Sequence, residues 1–174
     1  MANDKVTWAA DPMHSEISFK VKHMMISTVS GHFDTFSIDV ATEKEDDFSN
    51  AEVNMEIKTS SINTKNKDRD THLKSDDFFN AEKYPVISFK SKSFDGEKLT
   101  GGLTIRDVTK EVSFDVEFNG IAVDPYGQTK AGFELTGEIN RKEFGLKWDA
   151  VTEAGSIVVS DKVKMIGDIQ LVKQ

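Results

Sequence analysis

The sequence predicts an all-β fold, because apolar residues recur at every second position over much of its 174 residues. In the run 112–118, for example, four apolar side chains alternate with Ser113, Asp115 and Glu117. Successive side chains of a strand point to opposite faces, so each such run buries one face and exposes the other. This alternation is typical of antiparallel strands, whereas parallel strands are usually apolar on both faces.

Eight runs alternate clearly, and a shorter one precedes them at Val6 and Trp8. The eight lie at 17–21, 36–40, 53–57, 87–89, 99–105, 112–118, 133–139 and 163–171. Turn signals separate several of them: Asp95-Gly96, a tight reversal within 105–112, and the segment DPYGQT at 124–129. Because no linker divides the runs, we expect a single domain over residues 1–174.

Eight amphipathic strands favour a closed barrel. An open sheet of this size would leave two unpaired edges, and closure removes both of them. We therefore predict a single extended eight-stranded antiparallel barrel of the up-and-down type, with a two-sheet sandwich as the alternative. The interior of an eight-stranded barrel is just wide enough to be filled by side chains or to hold one small ligand.

The segment TKNKDRDTHLKSDDFFNAEKYP, at 64–85, interrupts the strand pattern halfway along the chain. Asn63 or Thr64 can cap a helix, and Asp68 and Asp70 suit its first turn. We expect a short helical segment near 66–80 that folds across one end of the barrel. The Phe78–Phe79 pair then either plugs that end as core or lines the mouth of a ligand site.

Two further segments depart from the alternation. The first, 140–156, contains Gly145 and Gly155 as breakers, and we expect a short helical segment near 141–145 within it. The second and weaker one is HMMISTVSG at 23–31, for which we predict no strand.

Composition narrows the classes of partner. The formal net charge is -8, and an acidic surface repels nucleic-acid phosphates and disfavours anionic membrane surfaces. No run of about 18 apolar residues exists that could span a membrane as a helix. The N-terminus lacks a basic start followed by an apolar stretch, so we expect no signal peptide and a cytoplasmic protein. A homodimer is compatible with the sequence.

The sequence offers little for catalysis or metal binding. It contains no cysteine, which excludes disulfides, thiolate nucleophiles and cysteine-ligated metals. Of its four histidines, His14, His23 and His32 are nine residues apart, a spacing unlike that of zinc ligands on strands. His14 and Ser15 are adjacent, so their side chains would point apart on a strand and form no dyad. We expect neither a metal site nor an enzyme.

Six motifs give the chain a family resemblance along nearly its whole length. They are DPMHSEISFKVKHMMIS at 11–27, GHFDTF at 31–36, SSINTKNKDRDTHLKSDDFF at 60–79, YPVISFKS at 84–91, LTGGLTIRDVTKEV at 99–112 and INRKEFG at 139–145. With these motifs the chain resembles the YceI-like family of lipocalin-like, polyisoprenoid-binding proteins. One departure is Asp107, where the family usually has glycine. Since aspartate tolerates a left-handed backbone, we expect the hairpin to survive.

The resemblance implies a lipocalin-like barrel with a long apolar pore. Relatives hold an isoprenoid chain, an isoprenoid quinone or a fatty-acid derivative there, so we expect such a lipid and no other cofactor. The implied role is transport, storage or sequestration, with a link to stress. The alternative is a structural or stress protein whose barrel is filled by its own side chains.

The predicted functional residues form two groups: apolar residues that line the pore and polar residues that hold the fold together. We expect the pore to be lined by Phe19, Met25, Phe36, Ile38, Met55, Ile57, Phe78, Phe79, Phe89, Leu103, Ile105, Phe114, Val116, Phe133, Leu135 and Trp148. Five polar residues are expected to form structural networks instead: His14, Arg69, Asp70, His72 and Arg141. A charged cluster in a helical cap more often locks a fold than binds a ligand, and we predict that Arg69, Asp70 and His72 tie the 64–85 segment to the barrel.

Overall fold

The strands close into an antiparallel barrel of eight staves, as the alternating pattern predicts. The computed structural model describes residues 5–147 and 159–174. Its strands are β1 (Val6–Ala10), β2 (Glu16–His23), β3 (Ser27–Phe33), β4 (Phe36–Thr42), β5 (Glu52–Lys58), β6 (Ile62–Asn63), β7 (Val86–Phe94), β8 (Lys98–Ile105), β9 (Val108–Val123), β10 (Thr129–Asn140) and β11 (Val159–Lys173). One α-helix, α1, spans Lys67–Lys74, and short 3-10 helices span Thr59–Ser61 and Arg141–Phe144.

Eleven strands fill the eight positions around the barrel, which we call staves, because three of these positions are each occupied by two shorter strands. Strands β1 and β2 both pair with the long strand β11, β1 near Lys173 and β2 near Val163. Strands β4 and β3 pair with them in turn, and β5 and β6 continue the third stave. The β1–β11 pairing closes the sheet, so the fold is a barrel and not the two-sheet sandwich.

The up-and-down order places the connections at two ends. The upper end carries the β2–β3 turn at 24–26, the 64–85 segment with α1, and the β8–β9 turn at 106–107. The lower end carries the loop at 43–51 and the turns at 95–97 and 124–128.

The predicted helical segments are present but shorter than expected. Helix α1 begins after Asn66, whose side chain accepts a 3.0 Å hydrogen bond from the backbone N–H of Arg69. The cap is therefore Asn66 and neither Asn63 nor Thr64. The 3-10 helix Arg141–Phe144 ends at Gly145, which adopts the left-handed backbone (φ 83°) that glycine accepts without cost.

Two sequence-based predictions about turns and strands were wrong. The segment 27–33 is a strand, and its alternation was hidden because its inward positions include Gly31, over which the ring of Phe19 packs. In the β8–β9 turn, the left-handed residue is Arg106 (φ 56°), and Asp107 does not adopt a positive φ. The hairpin survives the loss of the family glycine, but not by the mechanism that we expected.

Candidate ligand cavity

An apolar cavity occupies the lower half of the barrel. Its volume is about 100 Å³. Seven of the predicted pore residues lie on its wall: Ile38, Met55, Phe89, Phe114, Val116, Phe133 and Leu135. Twelve residues on the wall were missed: Ile17, Val40, Phe48, Ala51, Val53, Phe94, Leu99, Met165, Ile166, Gly167, Ile169 and Leu171. None of these residues has a polar side chain, so the wall offers a ligand apolar contact alone.

The missed residues divide into two groups. Most already lie at inward positions within the runs of alternation, for example Ile17, Val40 and Leu99, but were not included in the predicted wall. Phe48 and Ala51 lie in the lower-end loop, which has no periodicity. No signal in the sequence could have placed these two on the cavity wall.

The other predicted pore residues lie away from the cavity. Seven are buried in the upper half or packed against its core: Phe19, Phe36, Ile57, Phe78, Phe79, Leu103 and Ile105. Met25 is 69% exposed at the tip of the β2–β3 turn, because the chain reverses there instead of continuing as a strand. Trp148 lies outside the described residues.

Aromatic rings close the barrel above the cavity. The ring centroids of Phe19 and Phe33 are 5.7 Å apart, and those of Phe33 and Phe79 are 6.1 Å apart in an edge-to-face arrangement. Phe78 is buried beside them, with its ring 5.1 Å from that of His72. Of the two interpretations of the Phe78–Phe79 pair, the structure supports the upper-end plug.

A second aromatic cluster lies at the lower end, where Phe48 folds over the cavity. The Phe48 ring is 4.9 Å from Phe133, 5.0 Å from Trp8 and 5.6 Å from Phe118. The loop is anchored by the backbone N–H of Asn50, which donates to the carbonyl of Phe94 at 2.9 Å. The lower end is thus covered mainly by a loop side chain that packs on Trp8 and Phe118, whereas the upper end is covered by several side chains on strands and a helical segment.

The cavity exists partly because an inward position carries no side chain. Gly167 lies directly opposite Leu135 in the β10–β11 ladder. A Cβ atom added to Gly167 would lie 3.5 Å from Leu135, which is ordinary van der Waals contact. At Gly137, by contrast, an added Cβ would lie 2.6 Å from the Phe114 ring. The space that a side chain at Gly137 would need is occupied by the Phe114 ring. The corresponding space at Gly167 could hold a side chain and is part of the cavity.

The charged residues of α1 bind the segment that precedes the helix. Arg69 donates from Nε to the Thr64 hydroxyl at 2.8 Å and from Nη2 to the Thr64 carbonyl at 2.7 Å. Asp70 accepts from the backbone N–H of Thr64 at 2.9 Å. His72 contacts Asp77, with 2.8 Å between Nε2 and Oδ2. These contacts lie within the 64–85 segment and fold it upon itself.

A polar link from this segment to the β8–β9 turn comes from Arg106, which the sequence pattern did not indicate. Its Nη1 donates to the carbonyls of Asp76 and Phe78, each at 3.0 Å. Its guanidinium also lies over the Tyr84 ring, 5.4 Å from the centroid. The left-handed Arg106 therefore joins the β8–β9 turn to the plug of the upper end.

Arg141 is 2% exposed and organises the junction before β11. Its guanidinium donates to three backbone carbonyls: from Nε to Ser160 at 2.9 Å, from Nη1 to Leu146 at 2.7 Å and from Nη2 to Val159 at 3.2 Å. Its fork is thus engaged with backbone rather than with the cavity, where the wall contains no polar side chain.

His14 belongs to a polar cluster on the lower half of the barrel. Its Nδ1 lies 2.8 Å from Asp11 Oδ2, and Lys130 Nζ lies 3.1 Å from the same oxygen and 3.4 Å from Asp124. The hydrogen bond from His14, reinforced by Lys130, lowers the pKa of Asp11 from 3.8 to about 2. The cluster joins the break between β1 and β2 to the β9–β10 turn.

Residues 5–147 and 159–174 contain no group of three or more histidine or acidic side chains that could hold a metal ion. They also contain no helix that is long and apolar enough to cross a membrane.

Comparisons with known proteins agree with this geometry. A family model described as the YceI-like domain matches residues 8–171. A UPF0312 protein of Staphylococcus aureus (strain USA300) is 44% identical over 156 residues, which cover 88% of this chain and 90% of that protein. The solved YceI protein of Campylobacter jejuni has a TM-score of 0.72 and 35% identity, over 89% of this chain and 91% of that one. A polyisoprenoid binding domain from Saccharophagus degradans has a TM-score of 0.73 at 15% identity, over 96% and 98%.

Proposed function

The chain belongs to the YceI-like family, and from this premise we propose that it binds a long-chain amphiphile in the barrel cavity. The observation that carries the proposal is a closed barrel with an entirely apolar cavity in its lower half. A polyisoprenoid, an isoprenoid quinone or a fatty-acid derivative fits such a wall. The description of the Saccharophagus degradans neighbour as polyisoprenoid-binding supports the same ligand class. The role proposed is transport, storage or sequestration, without catalysis.

The free energy of binding requires a ligand with a long apolar chain, and the cavity must become longer than it is in this structure to hold one. Each CH₂ group moved from water into an apolar site gains about 0.8 kcal/mol, against association costs of about 4–15 kcal/mol, so ten or more groups are needed. A dry apolar cavity of about 150 Å³ holds one benzene. The cavity of about 100 Å³ is therefore too short for such a chain. We expect Phe48 to move aside, because its loop is the thinner of the two covers.

The alternative, a structural protein with a filled barrel, draws support from the packed upper half. Mass spectrometry of an organic extract from natively purified protein separates the two. We expect a stoichiometric prenyl or acyl species. A clean extract, combined with no binding of a fluorescent fatty acid on titration, would contradict the proposal and favour the alternative.

A cavity-filling substitution tests the site without introducing a charge. In Gly167→Val the added methyl groups extend toward Leu135 and occupy part of the cavity, so we expect at least tenfold weaker binding of a fluorescent fatty acid, about the loss of two CH₂ contacts. Stability should not fall, because valine suits a strand and fills a void.

The matched control is Gly132→Val. Gly132 lies on the neighbouring strand, and an added Cβ would lie 3.6 Å from Asn119, away from the cavity wall. Fatty-acid affinity should be unchanged in this variant. Equal affinity of the two variants would place the ligand outside the cavity.

A further inference from the structure

The tip of the β2–β3 hairpin presents three consecutive apolar side chains to solvent. Met24, Met25 and Ile26 are 37%, 69% and 80% exposed. Single exposed apolar residues are common on protein surfaces, but a contiguous group at the outermost point of a hairpin is typical of an interaction site.

The backbone at this tip departs from what its residues prefer. Met24 and Met25 both adopt left-handed conformations, with φ values of 52° and 59°. The backbone N–H of Ile26 donates to the carbonyl of His23 at 3.2 Å, which closes a two-residue turn. Such turns favour Asn-Gly, because two consecutive positive φ angles strain residues with longer side chains. Met24 and Met25 are therefore strained in this turn. A turn that only contacted water would be more stable with Asn-Gly than with two methionines.

A basic patch borders the tip on the outer face of the β2–β11 ladder. Lys20 lies directly opposite Lys164, and Lys22 and Lys162 occupy the next outward positions toward the tip. All four side chains are exposed. On its other side, Lys164 lies directly opposite Glu138 in the β10–β11 ladder, which offsets part of the repulsion between Lys20 and Lys164.

Few carboxylates offset this patch. Lys162 Nζ lies 3.8 Å from Glu138, and Asp161 is 3.4 Å from Lys142 Nζ. Within residues 5–147 and 159–174, no carboxylate lies at ion-pair distance from Lys20, Lys22 or Lys164. The patch is therefore a local excess of positive charge on a chain of net charge -8.

The acidic residues of the lower end are too far away to cancel this charge. Lys173 at the lower end of β11 pairs with Glu45 of the 43–51 loop. Lys162 lies 11 residues from Lys173, which corresponds to about 36 Å along the strand at about 3.3 Å per residue. Charges are screened over about 8 Å at physiological ionic strength. A surface that touches the β2–β3 tip consequently experiences the neighbouring lysines rather than the acidic residues of the lower end.

We propose that the upper end of the barrel docks on an anionic lipid bilayer. Met24, Met25 and Ile26 insert among the lipids, and Lys20, Lys22, Lys162 and Lys164 meet the headgroup phosphates. Apolar side chains flanked by lysines are the combination that binds such an interface. This docking surface shares no residue with the cavity wall, so it holds whether or not the cavity binds a lipid.

Vesicle flotation tests the proposal with purified protein. We expect binding to vesicles of equal parts phosphatidylglycerol and phosphatidylcholine, none to phosphatidylcholine alone, and release as salt rises from about 0.05 to about 0.5 M. In Met24→Asn/Met25→Gly the turn becomes better suited to its backbone, so the thermal midpoint should stay or rise. Its vesicle affinity should nevertheless fall at least about tenfold.

A matched pair of double variants separates the patch from net charge. Lys20→Gln/Lys164→Gln should weaken vesicle binding about thirtyfold, at about fivefold per lysine. Lys90→Gln/Lys98→Gln removes the same charge from exposed positions on β7 and β8, in the opposite wall of the barrel, and should bind like the parent protein. Equal loss in both variants, no binding to anionic vesicles, or full affinity of the methionine variant would overturn the proposal.

Discussion

The upper and lower halves of the barrel share one strand pattern but differ in what fills them. In the upper half, the rings of Phe19, Phe33 and Phe79 pack against one another, and Leu103 is completely buried. In the lower half, side chains that face inward in the same way leave a cavity of about 100 Å³. The difference lies in how the inward side chains meet, because the same closed sheet forms both halves.

Alternation decides which residues face inward, and their volume decides whether the interior is full. The rings of the upper plug pack against one another, whereas the lower wall, although it includes five phenylalanines, also has Ala51 and Gly167. An eight-stranded barrel lies at the size where either outcome is reached by a few substitutions. The binding function proposed for this chain therefore depends on small residues at a few inward positions.

The largest expected effect is a difference in stability between two leucine truncations. Leu103→Ala should lower the free energy of unfolding by about 3–5 kcal/mol, because fully packed neighbours cannot close the void. Leu135→Ala should cost about 1–2 kcal/mol, since Leu135 already borders empty space. Urea unfolding of both variants measures the difference. Equal costs would mean that the lower half is packed as tightly as the upper half.

Each half also contains a polar cluster: the Arg141 junction in the upper half and the Asp11–His14–Lys130 cluster in the lower half. We expect the Arg141 junction to contribute more to the free energy of unfolding. Arg141→Lys keeps the charge but loses the planar fork that reaches the carbonyls of Ser160, Leu146 and Val159. We expect a loss of about 2–3 kcal/mol in urea unfolding, as buried carbonyls lose their donors. If lysine supported the junction equally well, charge alone and not geometry would explain why arginine is buried there.

Most of the barrel could be predicted from sequence because period two is a local signal. The eight runs of alternation became staves, and the turns at Asp95-Gly96 and 124–129 lie where expected. The strand at 27–33 was missed because its inward Gly31 depends on a ring packed from β2, which is a tertiary contact. Arg106 was missed for the same reason, since its partners Asp76 and Phe78 lie about 30 residues earlier in the chain.

The candidate site could be predicted only in part. Inward direction follows from parity along a strand, so residues such as Phe89, Phe114 and Phe133 were found. Parity does not give height along the barrel, and predicted pore residues such as Phe19 and Leu103 lie in the filled half instead. The cover provided by Phe48 belongs to a loop without periodicity, and only the folded chain brings it to Phe133.

The smallest expected effect concerns the polar link of the lower half, and it depends on pH. Because the pKa of Asp11 is lowered to about 2 in the folded state, its charged form stabilises the fold above its unfolded pKa of about 3.9. This contribution is lost as the pH falls from about 4 to about 2. Asp11→Asn should therefore cost roughly 1–2 kcal/mol at pH 7, where His14 and Lys130 lose a charged acceptor, and progressively less toward pH 2.

Urea unfolding of the parent protein and of Asp11→Asn at pH 7, 4 and 2 measures this convergence. Asp39→Asn, at an exposed position on β4, controls for the loss of one negative charge. A difference that stays constant down to pH 2 would mean that Asp11 acts through its shape rather than through its charge. Such a result would remove the contrast with the Arg141 junction, whose contribution we attribute to the geometry of its guanidinium fork.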